Sequence, residues 1–317
     1  MPALADESAL LAPCAEPTLL DDVRSLFCED LDAGLRAGVE RAFRAHDLSR
    51  PPMRIAPLIY EAITGERAPR RLSTVAALVH VGAGLHDDVA DGDVPGGRAR
   101  EAQALLISGI CLATLAPRAA CTLVHPARAS GVLAALWHGM ETMAGGQRRD
   151  VALFDAERPD VREAEAALAK TSGEIGLSAA LAALAADQDE ASVRAWEAFG
   201  ADVGYGLQLA SDCQDIADTA SRDLSSGART LPIAFALHER TEPTRATLLA
   251  ALRRARHDRA AHAQARALVL NTRALSASLT LVEARIARAE RALAQLAPPN
   301  GNALKAFVGS ISWLRRR

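Results

Sequence analysis

Aromatic residues make up only 3% of this 317-residue chain, although half of it is hydrophobic. Alanine and leucine carry the apolar content, and the β-branched and aromatic residues that favour strands are sparse. No stretch alternates apolar and polar residues between hairpin-spaced turns, so no sheet is expected. The five cysteines (Cys14, Cys28, Cys111, Cys121 and Cys213) form no CxxC pair. That argues against zinc and against a disulfide framework, and it points to a reducing, cytoplasmic setting. An excess of positive charge is also lacking: 36 Lys and Arg face 39 Asp and Glu, for a formal net charge of −3. Nucleic acid and anionic membrane surfaces are therefore poor candidates as partners. The start, "MPALADESALLAPCAEP", has neither the basic segment nor the long apolar run of a leader. Residues 1–17 read as a flexible tail and residues 18–317 as one domain. The longest apolar stretch, near 102–116, is short for a membrane span.

What remains is helix-former composition with apolar residues at helical spacing. It runs through "LSTVAALVHVGAGLHDDVAD", "VREAEAALAKTSGEIGLSAALAALAA" and "LSASLTLVEARIARAERALAQL". Breaks are expected at proline and glycine clusters: 49–52, 92–97, Gly145–Gly146, 224–232 and 297–302. The expected architecture is an all-α bundle of ten or more helices.

Into this apolar pattern the chain sets two acidic clusters. In "GAGLHDDVADGD", Asp87 and Asp91 share a helix face with Asp88 at its edge. Hard oxygen ligands on a helix suit Mg²⁺, which commonly shares its shell with phosphates. A solvated acidic helix end accounts for this cluster equally well when it is taken alone. In "GYGLQLASDCQDIADTASRD" the acids are Asp212, Asp215 and Asp218, and Gln208, Ser211 and Asp215 fall on one stripe with Asp218 or Thr219. Two acidic helices facing an apolar core would suit a ligand with a diphosphate head and a hydrocarbon tail. Trp137, Phe199, Tyr205 and Phe235 could line such a cavity, although plain core packing explains them as well.

Five motifs in order resemble those of the trans-isoprenyl diphosphate synthase (polyprenyl synthetase) family. They are "HVGAGLHDDVAD", "GGQRRD", "AKTSGEIG", "GLQLASDCQD" and "RDLSSGARTLPIAFAL". The resemblance implies a single large helical bundle of the isoprenoid synthase type with a central apolar cavity. It also implies a homodimer and an allylic prenyl diphosphate (geranyl, farnesyl or geranylgeranyl) as substrate. Asp87, Asp88, Asp91, Ser211, Asp212 and Asp215 match the metal positions for three Mg²⁺ ions. Arg54, His80, Gln147, Lys170, Thr171, Gln208 and Arg229 match substrate-binding positions, with Lys170 also assisting ionisation. Gly82, Ala83 and Gly84 match the positions that set cavity depth, and their small size implies room for a long tail, although close helix–helix packing explains it equally well.

The departures from the pattern are concentrated on one side of the expected chemistry. Where the family has GKRxRP, this chain has "PPMRIAP", so Met53 and Ala56 replace two cations and Arg54 alone remains. The paired arginines after the first aspartate motif align with Gly96 and Gly97, with Arg98 and Arg100 just beyond. Ala228 replaces a loop lysine, and Ser211 replaces the first aspartate of the second motif. Losing several charge-assisted bonds, at roughly 1.5–3 kcal/mol each, weakens a second diphosphate site. The expected activity is therefore that of a synthase-like terpene synthase acting on one allylic diphosphate. The alternatives are a chain-elongating prenyltransferase that uses isopentenyl diphosphate and a non-catalytic regulatory subunit. Such subunits typically lose their aspartate motifs, which this chain keeps.

Overall fold

The computed structural model describes residues 16–94 and 97–313. The first fifteen residues of the expected tail, and Gly96, lie outside the described residues. Among those described there are fifteen α-helices, two short 3₁₀ turns and no strand. The helices are α1 (Glu16–Arg24), α2 (Ala33–Ala45), α3 (Pro52–Thr64), α4 (Arg70–Asp91), α5 (Ala99–Ala120), α6 (Ala129–Leu153), α7 (Val161–Ala167) and α8 (Ala169–Ala185). They continue with α9 (Glu190–Ala217), α10 (Asp223–Ser226), α11 (Leu231–Glu239), α12 (Thr244–Ala255), α13 (Arg259–Leu270), α14 (Ala274–Leu296) and α15 (Asn302–Trp313). Contacts group the described residues into two compact units. One holds the residues up to Leu136 together with Leu181–Asp189; the other holds Trp137–Ala180 and the residues from Glu190 onward.

In the first unit α4 packs against α5, α1 and α3. Its residues from Leu72 to Val79 are all buried, the pattern of a helix with apolar neighbours on every side. Each leucine buried there contributes about 1.5–3 kcal/mol. Burial ends at Leu85, so the last turn carries the acids out of the core and closes on Gly92 in the left-handed region. Helix α5 with the turn after it, Ala99–Leu123, is long and apolar enough to cross a membrane, more so than the sequence suggested. Its Ser108, Gly109, Leu112, Leu115, Ala116 and Ala119 are buried, and the core helix of a soluble unit passes the same length and composition test.

In the second unit α14 runs along α9. Trp196 and Phe199 meet edge to face at 5.5 Å inside this layer, whereas Trp137 is 62% exposed and belongs to neither core nor cavity. Buried Asp202 on α9 is bonded by Arg285 and Arg288 of α14. The Arg285 guanidinium lies 4.1 Å from the centre of the Tyr205 ring, and the Tyr205 hydroxyl donates to Glu165 of α7 at 3.0 Å. A charge this deeply buried is tolerable because both of its oxygens are paired.

Gly145 and Gly146 do not break the chain as expected; they lie inside α6. A Cβ on Gly146 would sit 2.2 Å from the Lys170 backbone nitrogen. On the opposite side, a Cβ on Gly204 of α9 would sit 2.8 Å from Ser172 Cα. These glycines are there for close backbone approach, with α8 entering between α6 and α9.

Candidate functional site

In the first unit, Asp87, Asp88 and Asp91 are half-buried on the last turn of α4, with half-buried His80 two turns earlier. Asp87 and Asp91 share a face, as expected. The small residues before them do not leave open space. A Cβ on Gly84 would lie 2.6 Å from His46 Nε2, and one on Gly82 would lie 3.4 Å from Leu112 Cβ. The imidazole of His46, held by the Ala42 carbonyl at 2.9 Å, fills the Gly84 notch. Gly82 and Gly84 are thus packing positions and not free cavity wall; Ala83 between them is half-buried. A second imidazole, that of His86, fills the notch at Gly109 and ties the acidic turn to α5. On α3, Arg54 is half-buried, whereas Met53 and Ala56 are core residues at 6% and 1% exposure. Arg98 and Arg100 are exposed, and Arg98 pairs with Glu101 at 3.5 Å.

The second unit brings most of the remaining candidates together. Lys170, on the first turn of α8, donates from Nζ to Asp150 Oδ2 at 2.5 Å. The next residue, Thr171, donates from its hydroxyl to Gln208 Oε1 at 2.6 Å. Gln208 in turn donates from Nε2 to Asp212 Oδ1 at 2.8 Å. This fixes the orientation of the Gln208 amide: the oxygen faces Thr171 and the nitrogen faces Asp212. The glycine contacts at 146 and 204 explain why Lys170 and Thr171 reach both neighbouring helices from one short stretch. A small cavity is lined by Asp150, Lys170, Gln208, Asp212 and Thr230. Thr230 Oγ1 and Gln147 Nε2 are buried without a hydrogen-bond partner among the described residues, which leaves two polar atoms for a ligand or water. Thr230 carried no sequence signal beyond its place in the loop motif.

Burial pushes the Asp212 carboxyl up to about 7, against the opposing Gln208 hydrogen bond and the Lys170 charge. Asp223 is also raised, first by burial and then by the Asp212 and Asp215 carboxylates. Asp215 is engaged in its own loop. It accepts the Ser221 hydroxyl at 2.5 Å, the Arg222 amide at 3.0 Å and the Asp223 amide at 3.1 Å. Ser211, expected to join the metal set, faces solvent one residue away from buried Asp212. Asp218 lies just past α9 and accepts the Ala220 amide. Arg229, expected to bind substrate, is 2% exposed and donates to the carbonyls of Ala156, Gly227 and Ala228. Those bonds make it a brace for its own loop.

The donor chemistry for a divalent cation differs between the two acidic clusters. Asp87 and Asp91 offer hard oxygens on one face, which suits Mg²⁺. On α9, Asp212 is buried with its carboxyl pushed up to about 7, Asp215 accepts three hydrogen bonds within its own loop, and Ser211 is exposed. Among the described residues no group of three or more carboxylate, imidazole or thiol side chains is drawn together to hold an ion.

The sequence from residue 53 to 269 matches the family profile described as Polyprenyl synthetase. The chain belongs to the polyprenyl synthetase family. A geranylgeranyl diphosphate synthase of Mycobacterium tuberculosis is 30% identical in an alignment 218 positions long that covers 62% of this chain. The match spans 61% of that relative's length. The fold is shared with geranylgeranyl pyrophosphate synthetase from Pyrococcus horikoshii, with a TM-score of 0.80, 17% identity, and 96% of this chain and 97% of that one covered. It is also shared with a polyprenyl synthetase from Streptomyces coelicolor, with a TM-score of 0.80, 20% identity, and 96% and 99% covered. All five motifs lie within the matched polyprenyl synthetase segment, as does "PPMRIAP" from Met53 onward.

Proposed function

We propose that this chain is a prenyltransferase that joins isopentenyl diphosphate to an allylic prenyl diphosphate. Family membership and the curated relative, named as a geranylgeranyl diphosphate synthase, favour chain elongation over the terpene formation expected from the motif losses. The observation that carries the reading is the linked polar string Asp150–Lys170 and Thr171–Gln208–Asp212 at one end of the apolar α8–α9 layer. There Lys170 brings a positive charge toward a diphosphate, and Asp150 holds that ammonium in place. Thr171 and Gln208 fix the carboxyl of Asp212, and the unpartnered Gln147 amide offers one further donor. Mg²⁺, held by Asp87 and Asp91, would act as a Lewis acid on the departing diphosphate. Cys28, Cys111, Cys121 and Cys213 are all free thiols, which supports a reducing, cytoplasmic setting. The substrate range among geranyl, farnesyl and geranylgeranyl diphosphate, and homodimer formation, follow from the family alone.

A second reading has its own observation. Met53 and Ala56 are uncharged and buried in the core, which leaves Arg54 and His80 of the matched positions for a second diphosphate. That favours an enzyme acting on one allylic diphosphate, as a terpene synthase does. The test is incubation of the pure protein and Mg²⁺ with each allylic diphosphate, with and without isopentenyl diphosphate. A longer diphosphate formed only with isopentenyl diphosphate is the expected result. A terpene hydrocarbon or alcohol formed without it would replace the first reading by the second. No turnover in any mixture would sink both. Asp87→Ala should abolish turnover while leaving the helical circular-dichroism signal intact; normal rates in that variant would refute the cation assignment.

A further inference from the structure

The turn after α9 is held from outside by α13. His262 Nε2 lies 2.8 Å from the Ser221 carbonyl oxygen. One turn later on the same face, Arg266 donates from Nη2 to the carbonyl of Ala217, the last residue of α9. Because a carbonyl only accepts, the His262 ring must carry a proton on Nε2. Arg266 satisfies a carbonyl that the end of α9 leaves without a helical partner, and its charge complements the helix C-terminus.

These contacts bear on the acids through Ser221. That residue is 1% exposed, and its hydroxyl donates to Asp215 Oδ2 while the next two amides donate to the same carboxylate. The carbonyl gripped by His262 and the hydroxyl gripped by Asp215 thus belong to one buried residue. The other bond to the Ser221 carbonyl comes from the Ser225 hydroxyl at 3.3 Å, longer and within the turn itself.

We propose that His262 and Arg266 form a clamp on α13 that positions the acidic turn 215–223, neither residue touching substrate. The clamp needs only the geometry above. Its effect on turnover rests on the prenyltransferase reading. The turn sets Asp223 beside Asp212 and near the Lys170 charge, so a loosened turn would disturb the polar string that faces a diphosphate.

The experiment compares the full chain with His262→Leu and His262→Gln, the latter keeping an N–H donor at similar reach. Hydrogen exchange is followed at the Arg222 and Asp223 amides, with amides in the Trp196–Phe199 segment of α9 as an internal control. His262→Leu should speed exchange at Arg222 and Asp223 about tenfold, the equivalent of one hydrogen bond. His262→Gln should restore the slow rate, and the control amides should not change. Unchanged exchange in His262→Leu, or equal acceleration in both variants, would overturn the clamp. In turnover assays His262→Leu should raise KM for the allylic diphosphate about tenfold with kcat nearly kept, and His262→Gln should reverse the change. A faster-exchanging turn with unaltered KM would overturn the effect on substrate. Absence of any turnover by the unaltered protein would instead refute the prenyltransferase reading, with the clamp still decided by exchange.

Discussion

Asp212→Asn should stabilise the protein, and the gain should depend on pH in a defined direction. The carboxyl rises from an ordinary 3.8 to about 7 because it is buried. At about 1.4 kcal/mol per pH unit, a shift of that size costs the fold about 4 kcal/mol at alkaline pH. Below pH 4 the group is protonated in both folded and unfolded chains, and no cost arises. Between pH 4 and 7 the unfolded chain sheds its proton while the folded chain keeps it, so stability falls as pH rises. Above pH 7 the cost is complete. Asparagine keeps the volume and the acceptor for Gln208, and the attraction to Lys170 is already contained in the shifted value. The net gain at pH 8 is then about 4 kcal/mol. Urea unfolding of metal-free protein from pH 4 to 9 measures it directly. The two proteins should coincide at pH 4 and diverge by pH 8. Parallel stability curves across that range would refute the reasoning, because Asp212 would then titrate as an ordinary carboxyl.

Gly146→Ala places a Cβ 2.2 Å from the Lys170 backbone, where no side chain can yield. Thermal unfolding should show a loss of at least about 1–3 kcal/mol, and turnover should fall with it as α8 is displaced. Arg229→Met removes the guanidinium from three carbonyls while keeping the buried bulk. It should cost about 1–3 kcal/mol in urea unfolding and leave KM for the allylic diphosphate unchanged at a temperature where the variant is folded. A raised KM there would restore Arg229 as a substrate-binding residue.

The all-helical fold was legible because alanine and leucine recur at helical spacing over most of the chain, and no competing pattern interrupts them. The polar string was legible in part: Lys170, Thr171 and Gln208 stand in motifs, and the structure bonds Thr171 to Gln208. Facing direction was harder to read. Ser211 and Asp212 are adjacent, and a 100° step about α9 sends one to solvent and the other to the core. Nothing in the local pattern says which, since that depends on where Asp150, Lys170 and Thr230 lie. Small residues were ambiguous for the same reason. Gly145–Gly146 reads as a break until the Lys170 backbone is found against it, and Gly84 reads as empty space until His46 fills it. Arg229 matched a motif position, yet carbonyls remote in sequence decide its role, and the Ala156 carbonyl is 73 residues away.

The meeting of backbones at Gly146, Lys170, Ser172 and Gly204 has a consequence for how this protein can change. Side chains that set a position can be exchanged gradually, each replacement shifting its neighbours a little. Main chain pressed against main chain allows no such gradation. The location of Lys170 and Thr171 is therefore insulated from drift in the surrounding alanine- and leucine-rich walls. Altered preference for the apolar part of a ligand can accumulate in those walls while the charged end of the site stays where it is.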